Sequence, residues 1–539
     1  MNEEIEEYYE ELYRLCIDEN QPLERRYRQL RESLERVVRE KIQGNSLQTT
    51  DLAARINYVA TQYGLDLKEQ NQLHTFRLTS NDILNHRKSP VKEEFPRDLR
   101  AVAYAYRKMF AQDIPLKLFS VLPKQEIASS GKKEKMEYIR RIRVCFDYAD
   151  DTYLYVHPVD VIADEPIRVV YNKPGINHEF EETIKELWRY AQLNLLDVSV
   201  DRDGIYTPSF IVLEPDYLID ISLLAECYKD YGSHPANYFL SRLVPIDNAR
   251  PLLLGNIANL FLDEWIHAGE EEPDYIDCMK KAFRQYPIEL AACAELRDPS
   301  KEKEFAKDCR MHFEHIRDVV QHTFLEPGYN LDKKEAVLEP SYICEALGIQ
   351  GRLDYMQRDM SSFIEMKSGK ADEFSMQGKV EPKENNKVQM LLYMAVLEYS
   401  MGQDRRCMHP YLLYTRYPLL YPARASWAQV RRVINLRNRI VAAEYGVQFH
   451  NHPDFTRNLL AQINPEVVNE RKLSGRFWEQ YLKPSISRFR EKLSALEPLE
   501  QAYFYTLYNF ITKELYTSKS GDVDYEGRAG ASALWLSTL

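Results

Sequence analysis

Three short stretches hold the residue types that can do chemistry: Gly351-Arg-Leu-Asp354, Phe363-Ile-Glu365-Met-Lys367-Ser-Gly369, and Gln389-x-x-x-Tyr393. Side chains alternate faces along a strand, so Glu365 and Lys367 point one way while Ile364 and Met366 point into a core. Asp354 lies eleven positions before Glu365. The polar, turn-prone Gln357-Arg-Asp-Met-Ser-Ser between them predicts a hairpin that brings Asp354 back beside Glu365. Two carboxylates next to one ammonium suit a hard divalent cation and a phosphodiester. Mg²⁺ takes oxygen ligands at about 2.0–2.1 Å, keeps several waters and uses one or two carboxylates. A cation there would polarise the phosphate and lower the pKa of a bound water. Lys367 would orient that water or stabilise the charge developing on phosphorus. The bland alternative is a hairpin with exposed alternating charges, and this spacing alone does not exclude it.

The elements around the three stretches narrow the choice. Ser368-Gly369 ends the second strand sharply, and Asn385 to Tyr399 reads as a helix. Its broad apolar stripe is Val388, Leu391, Leu392, Ala395, Val396 and Tyr399, while Gln389 and Tyr393 stack one turn apart. A glutamine turned toward such a site is harder to explain by core packing than its leucine neighbours are.

In order and spacing, the three motifs resemble the RecB-like branch of the PD-(D/E)xK nuclease superfamily. That branch includes RecB and AddB nuclease domains, Okazaki-flap helicase–nucleases and CRISPR-associated exonucleases. The resemblance implies that Asp354 and Glu365 ligate Mg²⁺ or Mn²⁺, that Lys367 serves the nucleophile, and that Gln389 and Tyr393 support the site and the DNA. It implies a mixed sheet flanked by helices, hydrolysis that leaves a 5′-phosphate, and a substrate of single-stranded DNA ends or flaps. It also implies a helicase motor, in cis or in trans, with this chain as the N-terminal half of a helicase–nuclease.

Two departures from the family pattern matter. The family carries an upstream helical motif, Gly-x-x-x-His-x-x-x-Glu, and the best match here is Gly255-Asn-Ile-Ala-Asn259-Leu-Phe-Leu-Asp263. It keeps the period but sets Asn259 where the metal-reaching histidine is expected. An amide oxygen can ligate a hard cation, yet it is neutral and does not titrate. His312 and His315 are substitute candidates, and Glu339 is a further candidate acid in the strand-like Ala336-Val-Leu-Glu339. The second departure is in the cysteines. The residues at 16, 145, 227, 278, 293, 309, 344 and 407 form no Cys-x-x-Cys pair. Cys227 stands where an upstream cluster ligand would fall, but only Cys407 follows Lys367. An iron–sulfur cluster is therefore not expected.

The chain has 539 residues, 44% hydrophobic and 29% charged, enough for several cores. No apolar run approaches a membrane span. The acidic start, Met-Asn-Glu-Glu-Ile-Glu-Glu, is not a secretory signal. A cytoplasmic protein with no membrane partner is expected. A net charge of −12 excludes general electrostatic adhesion to DNA, but residues 423–492 carry 13 Lys+Arg against 6 Asp+Glu. There Arg431, Arg432, Arg437 and Arg439 follow Trp427 on a helix and are candidates to track phosphates. A solvated basic helix face fits the same residues.

The expected fold is multidomain α/β, with a mixed-sheet, restriction-endonuclease-like core, a small β-barrel-like domain and helical flanks. Residues 1–125 read as a helical region whose long segments, such as Tyr9 to Glu40, break near Gly44. Residues 126–215 read as a small β-domain, possible kin of the oligonucleotide-binding barrel. The Ser129-Ser-Gly-Lys stretch within it is not a phosphate-binding loop, because no glycine stands five positions before Gly131. Residues 216–425 read as the nuclease domain, with Ser222 the N-cap of its first helix. Residues 426–539 read as a helical region ending in the apolar Ala533-Leu-Trp-Leu. The function implied is a metal-dependent DNA nuclease of repair, recombination or replication. The other reading left open is a catalytically inactive nuclease-fold subunit that binds DNA or scaffolds a repair or defence complex.

Overall fold

In the computed structural model, the residues described are 2–520, except 19, 43–51, 124–137, 161–162, 164, 244–248, 270, 330, 372–380 and 424–425. The break expected near Gly44, the Ser129 segment and the terminal Ala533 run lie outside them. The chain divides into two units. One comprises residues 1–217, 438–457 and 497–539; the other comprises 218–437 and 458–496. The fold is mixed α/β, and no helix among the described residues is long and apolar enough to cross a membrane.

The first unit opens with α1 (Asn2–Ile17), α2 (Leu23–Ile42), α3 (Leu52–Tyr63), α4 (Leu67–Leu84), α5 (Phe95–Phe110) and a short α6 (Leu116–Phe119). The segment expected as one helix from Tyr9 to Glu40 is two helices, because Pro22 cannot continue α1. Tyr27, Leu30, Leu34, Val37 and Val38 recur at helical spacing on α2 and are wholly buried in the bundle core. Asp66 and Glu69 close a reciprocal cap at the start of α4.

A six-stranded sheet follows: β1 (Tyr138–Ala149), β2 (Tyr153–Pro158), β3 (Ile167–Val170), β4 (Gln192–Val200), β5 (Tyr206–Thr207) and β6 (Phe210–Leu213). The short helix α7 (Glu181–Lys185) sits between β3 and β4. The sheet order is β1-β2-β3-β5-β4-β6, and β1 also pairs antiparallel with β4 along seven residue pairs. The sheet therefore curls on itself, but β3 and β5 meet at the single parallel pair Val169↔Tyr206. The barrel-like expectation is corrected here: the β3–β5 seam lacks a ladder, so the barrel is not closed. Asn438, from a later helix, fills a gap in this unit. Its Oδ1 accepts from the Leu213 N–H at 2.9 Å, and its Nδ2 donates to the Ile211 carbonyl at 2.7 Å.

The second unit holds two sheets. One is β7 (Ile219–Asp220), β10 (Ile349–Arg352) and β9 (Ser341–Cys344), in that order. The other runs β14 (Leu419–Pro422), β13 (His409–Tyr414), β12 (Ser362–Lys367), β11 (Tyr355–Gln357) and β8 (Ala336–Leu338). β12 is central, parallel to β13 and antiparallel to β11. Its helices are α8 (Ile221–Glu226), α9 (Ala236–Leu243), α10 (Arg250–His267), α11 (Tyr275–Gln285), α12 (Pro287–Ala292), α13 (Pro299–Gln321) and α14 (Glu384–Met401). α10 and α13 form one core with Ile364 and Met366 of β12 and Tyr411 and Leu413 of β13. Alternation then turns Glu365 to the opposite face of β12. The remaining helices, α15 (Trp427–His450), α16 (Pro453–Ala461), α17 (Pro465–Val468), α18 (Lys483–Ser494) and α19 (Pro498–Ser520), are shared out between the two units.

His312 of α13 is fully buried in the second unit. Burial, opposed by the Thr415 backbone and reinforced by Arg416, lowers its pKa to about 4. The fold thus prefers neutral imidazole. Stability is intact above the unfolded value of about 6.5 and is lost as pH falls toward 4, by about 3 kcal/mol in all. Urea unfolding at a series of pH values should show wild type losing that much more than His312→Gln; parallel curves would refute the assignment.

Candidate functional site

Asp354 occupies the crossover from β10 to β11, where the chain passes from one sheet to the other. Its Oδ2 accepts a 2.7 Å hydrogen bond from the backbone N–H of Met366. The hairpin therefore sets Asp354 against the strand that carries Glu365 and Lys367. Glu365 is 3% exposed, and its Oε1 accepts from Lys367 Nζ at 2.7 Å and from Gln389 Nε2 at 2.6 Å. Its other oxygen, Oε2, is buried without a hydrogen-bond partner. Gln389 comes from the buried side of α14 and also donates to Ser222 Oγ at 3.2 Å. One turn further on, Tyr393 donates from its hydroxyl to the Arg352 carbonyl at 2.5 Å. Asp354, Glu365, Lys367, Gln389 and Tyr393 are thus brought together.

Electrostatics follow from this geometry. Burial, then repulsion from Asp354, pushes the Glu365 carboxyl up to about 8 against the pull of Lys367. Asp354 is raised as well, chiefly by burial, although Lys367 and the Met366 N–H oppose the shift. Burial works against the Lys367 charge, but Glu365 and Asp354 outweigh it and hold the ammonium above its ordinary range. One cation thus faces two crowded carboxylates, one of which has an idle buried oxygen. Such a donor set calls for a further positive charge.

The α10 face is placed only in part by these contacts. Gly255 lies where an added Cβ would come within 3.3 Å of Ser368 Oγ, so the helix crosses directly over the end of β12. Asn259 is half-buried on that face. One turn later, burial and then the charges of Glu339 and Asp354 raise the Asp263 carboxyl to about 6. Among the described residues, no three His, Cys, Asp or Glu side chains stand as a ready cation cage. Asp354 and Glu365, completed by waters, match the sparse carboxylate set that Mg²⁺ tolerates.

Several expectations need correction. Glu339 is not a strand residue: β8 ends at Leu338, and Glu339 adopts φ 49°, its N–H donating to the Asp354 carbonyl and its carboxylate pairing with Arg352 at 3.0 Å. A left-handed backbone at a non-glycine costs of order 1 kcal/mol, so packing around Asp354 must impose it. The N-cap of α8 is Asp220, whose side chain accepts from the Ser222 and Leu223 N–H groups; Ser222 instead braces Gln389. Arg437 is wholly buried and its Nε donates to the Gly348 carbonyl, so it is not presented to a phosphate backbone. Arg432 is exposed and Arg431 half-buried, while Trp427 lies under the Arg405 guanidinium at 4.3 Å. His315 meets the Thr415 carbonyl at 3.0 Å and His312 is in the core. All eight cysteines are free thiols, and Cys227 donates within its own helix. Sequence reading missed Ser222 as a brace, whereas Asp263, carried in the α10 motif, lies within electrostatic reach of Asp354. The Asp-x-Ser cap pattern at 220–222 was the available signal for the first.

No protein-family model matches this chain, and no curated protein matches it. The reading of the site therefore rests on its own geometry.

Gly351 and Tyr393 explain each other. A Cβ on Gly351 would stand 3.0 Å from the Tyr393 hydroxyl and 3.1 Å from Ile221 Cδ1. Gly351→Ala should therefore destabilise the second unit by roughly 1–3 kcal/mol through overpacking. Tyr393→Phe, which loses one hydrogen bond, should cost about 1 kcal/mol. Urea midpoints equal to wild type in both variants would contradict the contact.

Proposed function

We propose that the second unit is a nuclease domain of the RecB-like PD-(D/E)xK kind, and that the chain hydrolyses phosphodiester bonds in DNA with Mg²⁺ or Mn²⁺. The observation that carries this is the buried Glu365 carboxylate, set between Asp354 and Lys367 and steadied by Gln389, with one oxygen idle. Asp354 and Glu365 would hold the cation, which when bound polarises the phosphate and acidifies water. Lys367, whose side chain is about a quarter exposed, holds its ammonium 2.7 Å from Glu365 Oε1. It orients the attacking water or stabilises the charge that develops on the phosphoryl oxygens. Gln389 keeps the Glu365 carboxylate from rotating. Tyr393 clamps the end of the strand that leads to Asp354.

The sheet of the first unit supports an oligonucleotide-binding reading. Its strands are interrupted by one helix, between β3 and β4, which fits that reading; the sheet has six strands and is not closed. A single-stranded partner would suit both units, and a helicase motor in cis or in trans would supply such strands. A second reading, a catalytically silent DNA-binding scaffold, draws on Asn259, which offers a neutral amide where the resemblance expects a metal-reaching histidine.

The deciding experiment is hydrolysis of single- and double-stranded DNA with Mg²⁺ and with Mn²⁺. Asp354→Ala, Glu365→Ala and Lys367→Ala should each lose more than about a hundredfold in kcat while circular dichroism stays native. Natively folded variants that keep wild-type turnover would overturn the assignment. If Asn259 faces the cation, Asn259→His should shift the Mg²⁺ titration to lower concentration; an unchanged titration would remove it from the site.

A further inference from the structure

The basic surplus of residues 423–492 is only partly carried by α15, where Arg437 is internal. Most of it falls in residues 471–492, which hold seven Lys+Arg against two Asp+Glu. There a π turn, Trp478–Leu482, leads into α18. One side of this stretch packs against the second unit. Trp478 is buried with its ring edge-on to Tyr231 at 5.8 Å, and Ile486 is buried one to two turns later. Leu482, Phe489 and Leu493 are half-buried and complete an inward ladder at helical spacing.

The residues one position before each rung form a flank of the opposite character. Phe477, Tyr481, Ser485, Arg488 and Lys492 are all exposed. The Phe477 and Tyr481 rings, 58% and 64% exposed, lie 5.8 Å apart on that flank. Arg488 and Lys492 follow one turn from each other. Arg471 pairs with Glu384 and Lys483 with Glu479. Among the described residues, Lys472, Arg476, Arg488, Arg490 and Lys492 form no ion pair. Exposed aromatics are ordinary one at a time. Two adjoining rings continued by two unpaired cations, with no acid among them, are not.

Cations of this kind call for a polyanion, and the rings decide which. An acidic protein segment seats its apolar anchors in a desolvated pocket. Phe477 and Tyr481 instead stand more than half exposed on a helix surface. A nucleic-acid strand needs only the open face of a ring for a base and a nearby cation for each phosphate. We infer that the flank formed by Phe477, Tyr481, Arg488 and Lys492 is a nucleic-acid-binding site in its own right. The two rings stack on bases, and the two cations meet phosphates. The site goes beyond the nuclease reading, because binding on this flank uses neither the carboxylates nor a divalent cation.

The test is fluorescence anisotropy of a fluorescein-labelled oligo(dT) on the full chain in EDTA, over a series of salt concentrations. Arg488→Gln combined with Lys492→Gln should weaken binding and flatten the plot of log affinity against log salt by about 0.7 for each cation removed. Phe477→Ala combined with Tyr481→Ala should weaken binding by on the order of tenfold and leave that slope unchanged. Tyr481→Phe, which keeps the ring, should match wild type. Affinity unchanged in both double variants would overturn the site, and so would a wild-type chain that does not bind oligo(dT). Polyglutamate bound as tightly as oligo(dT) at equal charge would overturn it too, because an acidic protein segment would then be the partner. A chain that binds as expected yet cleaves no DNA sinks the nuclease reading alone. One that cleaves DNA while both double variants bind as wild type sinks this site alone.

Discussion

A carboxylate taken out of water beside a second carboxylate is the constraint around which the second unit is built. Glu365 is almost fully buried, and burial and Asp354 both oppose its charge. Buried ionised groups persist only with partners, so the unit surrounds it with donors. Lys367 comes from the same strand two residues on, Gln389 comes from α14, and the Met366 N–H holds Asp354. Each donor requires its own element to be placed within a few tenths of an ångström. β12 must lie at the centre of its sheet, the β11–β12 hairpin must return in register, and α14 must turn its glutamine inward.

Close approach of backbones makes that precision possible. Gly351 leaves room for the Tyr393 ring, whose hydroxyl then ties the strand leading to Asp354. Gly255 lets α10 cross over Ser368, which brings Asp263 within reach of Asp354. Gly348, at φ 65°, admits the Arg437 guanidinium where any Cβ would collide. Two glycines at β10 and one on α10 thus bring three helices to the β10–β12 region. The left-handed backbone of Glu339, bonded to the Asp354 carbonyl, belongs to the same tight crossover. On the proposed reading, this packing holds the carboxylates ready for a cation, with little rearrangement left to make.

Charge in this chain does not mark its interaction surfaces by count. The basic segment 423–492 carries an excess of seven positive charges. Yet Arg437 is internal, Arg439 pairs with Glu186, and Arg471 pairs with Glu384.

Local periodicity and motif spacing made part of this legible without coordinates. The two-residue alternation of Phe363 to Lys367 and the turn-rich stretch before it specify a hairpin. The stripe from Val388 to Tyr399 specifies a helix with Gln389 and Tyr393 one turn apart. These are short-range properties of a chain, set by pleat and by helical pitch. What depended on tertiary structure is the burial of Arg437, the contact of Ser222 with Gln389, and the backbone of Glu339. The same holds for the seam at β3 and β5 that keeps the first sheet from closing, and for the division of the C-terminal helices between two units. Each is decided by contacts between separate segments of the chain or by volume that a glycine leaves unfilled. Desolvation and packing are properties of the assembled interior, and no window of sequence contains them.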